Sequence, residues 1–232
     1  MKTKEIICDK IANNVSDSSN LRIINHIDNH RDLEILPSRK SNNSPQTVFS
    51  REGHRKYLTI SEINSFIDTA RQYDPKVYSF CLMMAMTGCR ISEALSLNYS
   101  SIDFVEKNVT IMCLKKRGKI IFRSVPLPLW MLNDFRRWLA SGILMHDRLW
   151  PWSRMTAYRR IRDVMISAGI SGKHATPRGL RHGFGVRAVQ AKIPLTLIQR
   201  WLGHEDIKTT AIYTAATGDE ERAIASQMWK KK

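Results

Sequence analysis

The chain has no long apolar run, no paired cysteine motif and few acidic residues for its length. Its longest apolar stretch, Val77 to Met86, is interrupted by Ser79 and is too short to span a bilayer, and the N-terminus lacks the apolar core of a signal peptide. A soluble, cytoplasmic protein with no membrane partner is the expectation. The four cysteines, Cys8, Cys81, Cys89 and Cys113, show no C-x-x-C spacing, which argues against zinc or a redox dithiol and for free thiols in a reducing compartment. His174, His182 and His204 stand at no i, i+4 spacing to one another, so no metal site is expected. No internal repeat is visible.

Positive charge is what the chain has in excess. Thirty-seven Lys/Arg against 21 Asp/Glu give a net charge of +16 over 232 residues, of which 43% are apolar, enough for the core of one or two domains. Such a charge is a statement about partners, and nucleic acid is the simplest polyanion to supply one. Residues 1–55 hold nine Lys/Arg against seven Asp/Glu, whereas residues 56–232 hold 28 against 14. The first segment is rich in Asn, Ser and Asp without a sustained period and reads as a polar, flexible tail; the second, which carries the charge, reads as the folded domain.

Within that domain, Thr59-Ile60-Ser61-Glu62 is a capping box that opens a helix with Ile63, Phe66, Ile67 and Ala70 on its apolar face. Asp74-Pro75 opens a second helix, whose face of Val77, Phe80, Cys81, Met84 and Ala85 predicts burial and which stops at Gly88. Arg90 then stands at the start of a third helix, where the helix dipole disfavours a cation, and the position asks for an explanation. From Ile102 the period changes to two: Val109, Ile111 and Cys113 alternate with Thr110 and Met112, residues 115–119 make a basic turn, and residues 120–125 return as a strand. Pro128 starts a helix with Leu129, Leu132, Phe135 and Leu139 inward, and Ser153 caps one with Tyr158, Ile161, Val164 and Met165 inward. The last region predicts short helices at about 177–191, 194–202, 206–213 and 219–229, the second stopped by Gly203, with Trp201 in the core.

Arginine, histidine and tyrosine gathered in polar turns between helices suit attack on a phosphodiester. A five-coordinate phosphorus spreads charge over its non-bridging oxygens, and a guanidinium offers two parallel donors without losing its proton near neutral pH. Arg90 and Arg181 are the candidates. Tyr213 is the candidate nucleophile, since a phosphotyrosyl ester conserves bond energy and lets a strand be rejoined without ATP or another cofactor. A lysine on the hairpin can protonate the departing 5′ oxygen, and a histidine can hydrogen-bond a phosphate oxygen.

Thr87-Gly88-Cys89-Arg90-Ile91-Ser92-Glu93, Leu180-Arg181-His182, and Leu202-Gly203-His204 with Tyr213 nine residues later resemble, in order and spacing, the three signature boxes of the tyrosine recombinases, the phage integrase family. The resemblance covers residues 57–229 and implies an α+β, mostly helical catalytic domain with a small three-stranded antiparallel sheet, which breaks and rejoins double-stranded DNA at specific sites. It casts Arg90 and Arg181 as the catalytic arginines, His204 as the third-box histidine, Tyr213 as the nucleophile and Glu93 as the support of Arg90. Lys115 is the favoured hairpin lysine, with Lys116 the alternative and Lys119 the less favoured. Arg178 departs from the pattern, because relatives usually place histidine there and an arginine cannot act as a general base near pH 7. No counterpart of the N-terminal helical domain that closes round DNA is found in residues 1–55, and in length the chain is similar to the recombinases that invert fimbrial promoter switches and to short plasmid resolution recombinases. The family implies a dimer on each DNA site, a tetrameric synapse and accessory DNA-bending proteins. Residues 219–229 are expected to dock on a neighbouring protomer through Ile224, Met228 and Trp229.

Plainer readings stand beside these. Taken without the other boxes, Tyr213 reads as a packed aromatic, Arg90 and Arg181 as salt-bridge residues, His204 as a helix cap, and Lys115 to Lys119 as a solvated turn or phosphate clamp; the boxes together reverse the reading of Tyr213. His182 reads as a core histidine or as a support for the site residues rather than as a reactant. At the level of function the alternatives are a DNA-binding regulator derived from a recombinase and a type IB topoisomerase.

Overall fold

The computed structural model describes residues 47–113, 121–215 and 226–229. Helix α1 (Ile60–Ala70) begins at the expected capping box: the Thr59 N–H donates to Glu62 Oε2 at 2.9 Å, and Thr59 Oγ1 accepts from the Glu62 N–H at 3.2 Å. Helix α2 (Pro75–Thr87) is capped by the Asp74 carboxylate, which accepts from the Lys76 N–H at 2.8 Å. It ends at Gly88, whose φ of 61° is left-handed and where a Cβ would lie 2.7 Å from the Phe184 ring, so both the stop and the close approach call for glycine. Helix α3 (Ile91–Leu95) follows at once.

Strands β1 (Ile102–Asp103), β2 (Asn108–Met112) and β3 (Phe122–Pro126) form the small antiparallel sheet in the order β1-β2-β3. Val109 pairs with Val125 and Ile111 with Arg123, all four on the buried face. Helices α4 (Leu129–Ala140), α5 (Arg154–Ser167), α6 (Pro177–Gln190), α7 (Leu195–Leu202) and α8 (Lys208–Ala211) follow, with 3₁₀ turns at Tyr99–Ser101, Ile212–Ala215 and Ser226–Trp229. The main core joins the first five helices to the sheet and includes an edge-on Phe80–Trp150 pair with ring centroids 5.1 Å apart, the Trp150 indole donating to Ser79 Oγ at 3.0 Å. A second cluster gathers Val48, Phe184, Val186, Ile198, Leu202 and Tyr213. Helix α6 belongs to both, through Leu180 in the first and Phe184 in the second. Among the described residues no helix is long and apolar enough to cross a membrane.

Several expectations are corrected. Residues 47–55, assigned by composition to the tail, pack against the domain: Val48 is buried, Phe49 bridges Arg55, and Arg55 pairs with Glu62. Leu129 is 54% exposed and Met131 takes its place, because the buried stripe of α4 centres on Leu132, Phe135 and Leu139 and leaves residue 129 on its flank. Tyr158 is 39% exposed for the same reason, Ala157 being in phase with Ile161, Val164 and Met165. Trp201 is only partly buried. The helix expected at 206–213 is α8 tightened into a 3₁₀ turn that carries Tyr213. Cys8, the turn with Lys115, Lys116 and Lys119, and most of the helix expected at 219–229 lie outside the described residues; Ser226–Trp229 is a 3₁₀ turn in which Met228 is exposed.

Candidate active site

Arg90 occupies the N-cap position of α3, and the residue three places on resolves its conflict with the dipole. Glu93, fully buried, accepts from the Arg90 N–H at 2.9 Å through Oε2 and from Arg90 Nη1 at 2.6 Å through Oε1. A second arginine completes the carboxylate. Arg123, on the buried face of β3, donates from Nη2 to Glu93 Oε2 at 2.7 Å, from Nε to the Trp201 carbonyl at 2.7 Å and from Nη1 to Cys113 Sγ at 3.2 Å. Burial pushes the Glu93 carboxyl up, but the two guanidiniums and the Arg90 N–H outweigh it and hold it below the usual carboxylate range. Gly203, with a left-handed φ of 65°, lets this arrangement close: a Cβ there would lie 3.1 Å from Arg123 Nη1.

Arg181 is held differently. Its Nη1 donates to the Gly88 carbonyl at 2.7 Å and its Nη2 to the Leu202 carbonyl at 2.6 Å. These are carbonyls at the C-terminal ends of α2 and α7, where the helix dipole favours a cation. Arg123 serves the neighbouring carbonyl of α7, so two guanidiniums cap one helix end. No carboxylate among the described residues pairs with Arg181, and burial, aided by Arg90, lowers its guanidinium to about 10.

Tyr213 is 1% exposed. Its ring lies against Gly185 of α6, where a Cβ would come within 2.5 Å of it, and stacks on the His204 ring with centroids 6.2 Å apart and planes 21° apart. The phenol hydroxyl is 3.2 Å from His182 Nδ1. Burial raises the phenol above its ordinary value while Arg181, Arg178 and Arg90 pull it down. His204 Nδ1 is 3.0 Å from Thr210 Oγ1, and burial together with Arg181 and Arg90 lowers its imidazole to about 3. Burial, then Arg178 and Arg181, lower His182 to about 4. Both rings are neutral at pH 7.

A cleft of about 550 Å³ collects Arg90, Arg178, Arg181, His204 and Tyr213. It brings together every predicted site residue that the structure describes, with Glu93 and His182 beside them. An adjoining cleft is lined by Arg90, Cys113 and His204, and the Cys113 N–H donates to the Ile121 carbonyl at 2.8 Å. The buried thiol of Cys89, raised to about 11, is no nucleophile at neutral pH. No group of His, Cys, Asp and Glu among the described residues is arranged to hold a metal.

Sequence reasoning missed Arg123 and Arg154. Arg154 lines the same cleft from the first turn of α5, as Arg178 does from the first turn of α6 and Arg90 from the start of α3. A cation at a helix N-terminus is disfavoured unless an anion is to be bound there. That signal, noted only for Arg90, would have found all three. Arg123 carried no such signal, because an arginine in a strand is ordinarily solvent-facing.

The sequence pattern of the phage integrase family matches residues 56–220. The tyrosine recombinase XerD of Yersinia pestis is 29% identical over 150 residues, 61% of this chain and 50% of XerD. The type 1 fimbriae regulatory protein FimE of Escherichia coli K12 is 31% identical over 176 residues, 70% of this chain and 86% of FimE. The chain thus spans about half the length of XerD and most of that of FimE. The fold is similar to that of the XerH site-specific recombinase bound to palindromic difH substrate in a post-cleavage complex, with a TM-score of 0.64 and 21% identity over 76% of this chain and 54% of XerH. Since the family pattern extends over most of the chain and takes in all three arginine, histidine and tyrosine boxes, the chain belongs to the phage integrase family, the tyrosine recombinases.

Proposed function

We propose that the protein is a site-specific DNA recombinase that cleaves and rejoins strands through a 3′-phosphotyrosyl intermediate on Tyr213, with residues 56–232 as its catalytic domain. The observation that carries this reading is the convergence of three guanidiniums lacking a full complement of anions on the cleft that also receives the Tyr213 hydroxyl. The scissile phosphate sits between Arg90, Arg178 and Arg181, whose donors meet the charge on its non-bridging oxygens. His204, neutral and steadied by Thr210, hydrogen-bonds one of those oxygens. The Tyr213 oxygen forms a bond to phosphorus, the bond to the 5′ oxygen breaks, and a lysine of the hairpin, Lys115 or its neighbour Lys116, protonates the departing oxygen. Rejoining reverses these steps with a 5′ hydroxyl from the partner strand. Glu93 and Arg123 fix the Arg90 guanidinium.

A nicked suicide duplex, from which the freed 5′ end diffuses away, tests the reading. Wild type accumulates a covalent protein–DNA adduct and Tyr213→Phe accumulates none; no adduct from either overturns it. Two DNA sites must be joined, so a dimer per site and a tetramer in the synapse follow, with residues 219–229 docking on a neighbour. Deletion of those residues is expected to weaken cooperative assembly on DNA, and unchanged assembly would remove them from the interface. A second reading, a regulator that binds DNA without cutting it, is favoured by Arg178 in place of a proton acceptor. Site-specific binding without an adduct on any cognate duplex would select it.

A further inference from the structure

We infer that His182 is the group that accepts the phenol proton of Tyr213 as the tyrosine attacks DNA, a role that rests on the recombinase reading above. An attacking phenol must shed its proton by the time its oxygen bonds phosphorus. Of the cleft residues, Arg90, Arg178 and Arg181 have no lone pair to offer. His204 Nδ1 is engaged by Thr210, and its ring lies over the Tyr213 ring rather than in line with the hydroxyl. His182 Nδ1, at 3.2 Å, is the group hydrogen-bonded to that hydroxyl among the described residues.

The seat is specific to this pair. His182 and Gly185 stand three residues apart on one face of α6, so the glycine admits the Tyr213 ring and the histidine meets its oxygen. The far nitrogen of the imidazole, Nε2, is buried and has no hydrogen-bond partner among the described residues. A histidine held only for structure is ordinarily fixed from both sides, whereas here nothing locks the tautomer, and Nδ1 is free to present its lone pair.

The charges around the ring set when it takes the proton. Arg178 and Arg181 face it from its own helix, Lys56 from the segment before α1, and His204 from the turn after α7, while Arg90 acts on Tyr213. In the free protein burial and these cations keep the imidazole neutral at pH 7. A DNA phosphate between Arg178 and Arg181 offsets their charge and raises the proton affinity of the ring when the substrate is in place. The Tyr213 O–H bond then breaks, its proton moves to Nδ1, the O–P bond forms, and the 5′ oxygen leaves with a proton from the hairpin. On rejoining, the 5′ hydroxyl returns a proton to the hairpin lysine as it bonds phosphorus and displaces Tyr213, which recovers its own proton from His182.

The test is single-turnover cleavage of the nicked suicide duplex by the full chain carrying His182→Gln or His182→Asn. The Asn variant places an amide near the position of Nδ1, keeping a hydrogen bond to the phenol while being unable to take up a proton, and guards against a folding defect in the Gln variant. Both are expected to cleave about 10²- to 10³-fold more slowly with unchanged DNA affinity, and to lose the fall in rate that wild type shows as the pH drops through the DNA-bound value of the imidazole. Fluorotyrosine at position 213, whose phenol is more acidic, is expected to restore cleavage more to these variants than to wild type. A duplex with a 5′-bridging phosphorothiolate, whose leaving group needs no proton, is expected to leave them slow. Cleavage within about threefold of wild type would overturn the inference. So would full rescue by the phosphorothiolate, or a fluorotyrosine gain equal in all three proteins. If wild type forms the Tyr213 adduct and the His182 variants form it as fast, only the role of His182 falls; if wild type forms none, the recombinase reading falls first.

Discussion

Two arginine-rich regions line one cleft and are neutralised in opposite ways. Around Glu93, the guanidiniums of Arg90 and Arg123 share one fully buried carboxylate, and Arg123 also donates to a carbonyl and a thiol. Around Arg181 there are only carbonyls, Arg178 and Arg154 stand exposed at helix starts, and the two histidines are neutral. On the Glu93 side the carboxylate closes Arg123 into the fold and steadies Arg90, whose side chain still reaches the cleft, and the arrangement ties α3, β3 and α7 into one piece. The Arg181 side is short of negative charge until a phosphate arrives. The first behaves as scaffold that presents only Arg90 of its two arginines to the cleft, and the second as binding surface, although the residue types are the same.

The sharpest way to break this contrast is Glu93→Ala, which strips the carboxylate from Arg123 and leaves a buried charge unpaired. Removing one partner of a buried pair destabilises by about 3–5 kcal/mol, so urea denaturation should show a loss of that order. A loss under about 1 kcal/mol would mean that Arg123 finds water and that the Glu93 side is not closed. On the other side, Arg181→Lys should leave the fold cooperative but slow adduct formation by about 10²- to 10³-fold, since one ammonium cannot serve two carbonyls and a phosphate oxygen at once. Equal losses of stability in the two variants would erase the distinction between scaffold and binding surface.

The sequence carried more of the second region than of the first. Arg181, His204 and Tyr213, like Arg90 beside Glu93, were legible as candidates because they stand in the three boxes that resemble the family's, and local rules placed nearby helix boundaries at Thr59, Pro75, Gly88 and Gly203. The alternation of Val109, Ile111 and Cys113 likewise located the sheet. Arg123 was hidden because alternation locates strands through apolar residues. In β3 the inward positions are Arg123 and Val125, while the apolar Phe122 faces solvent, so hydrophobicity does not mark the buried face there. Only the distant partners Glu93 and Trp201 make a buried arginine tolerable there, and their approach is a property of the tertiary fold. The contact of His182 with Tyr213 was out of reach for the same reason, being 31 residues apart along the chain.

The seat of Tyr213 joins the two regions to the nucleophile, and Gly185→Ala probes it with a smaller change. The added methyl would come within 2.5 Å of the Tyr213 ring, so either the ring or α6 must shift. Overpacking of this kind costs about 1–3 kcal/mol, less than the loss of the Glu93 carboxylate. Adduct formation should fall with it while affinity for duplex DNA stays, because the arginines are untouched. Unchanged cleavage with a stable fold would show that the tyrosine reacts from another position.

The mildest effect separates the two regions by pH. His182 and His204 are depressed to about 4 and about 3 by burial and the arginines, while unfolded histidine titrates near 6.5. The unfolded chain therefore binds more protons below that value, and stability that is fully present above pH 6.5 is lost as the pH falls toward 4. The carboxyls of Glu93 and Glu62 are held below their ordinary value of 4.5, the latter at about 2, so their contribution is present above pH 4.5 and lost as the pH falls from there toward 2. Melting temperature against pH should accordingly fall in two stages, the histidines first. A short duplex should flatten the upper stage, since its phosphates offset Arg178 and Arg181, which help hold the imidazoles neutral. The lower stage should keep its shape, because the carboxylates already have their cations within the fold. A melting temperature that stays level from pH 7 to 5 in the free protein would mean that the Arg181 side already holds compensating negative charge.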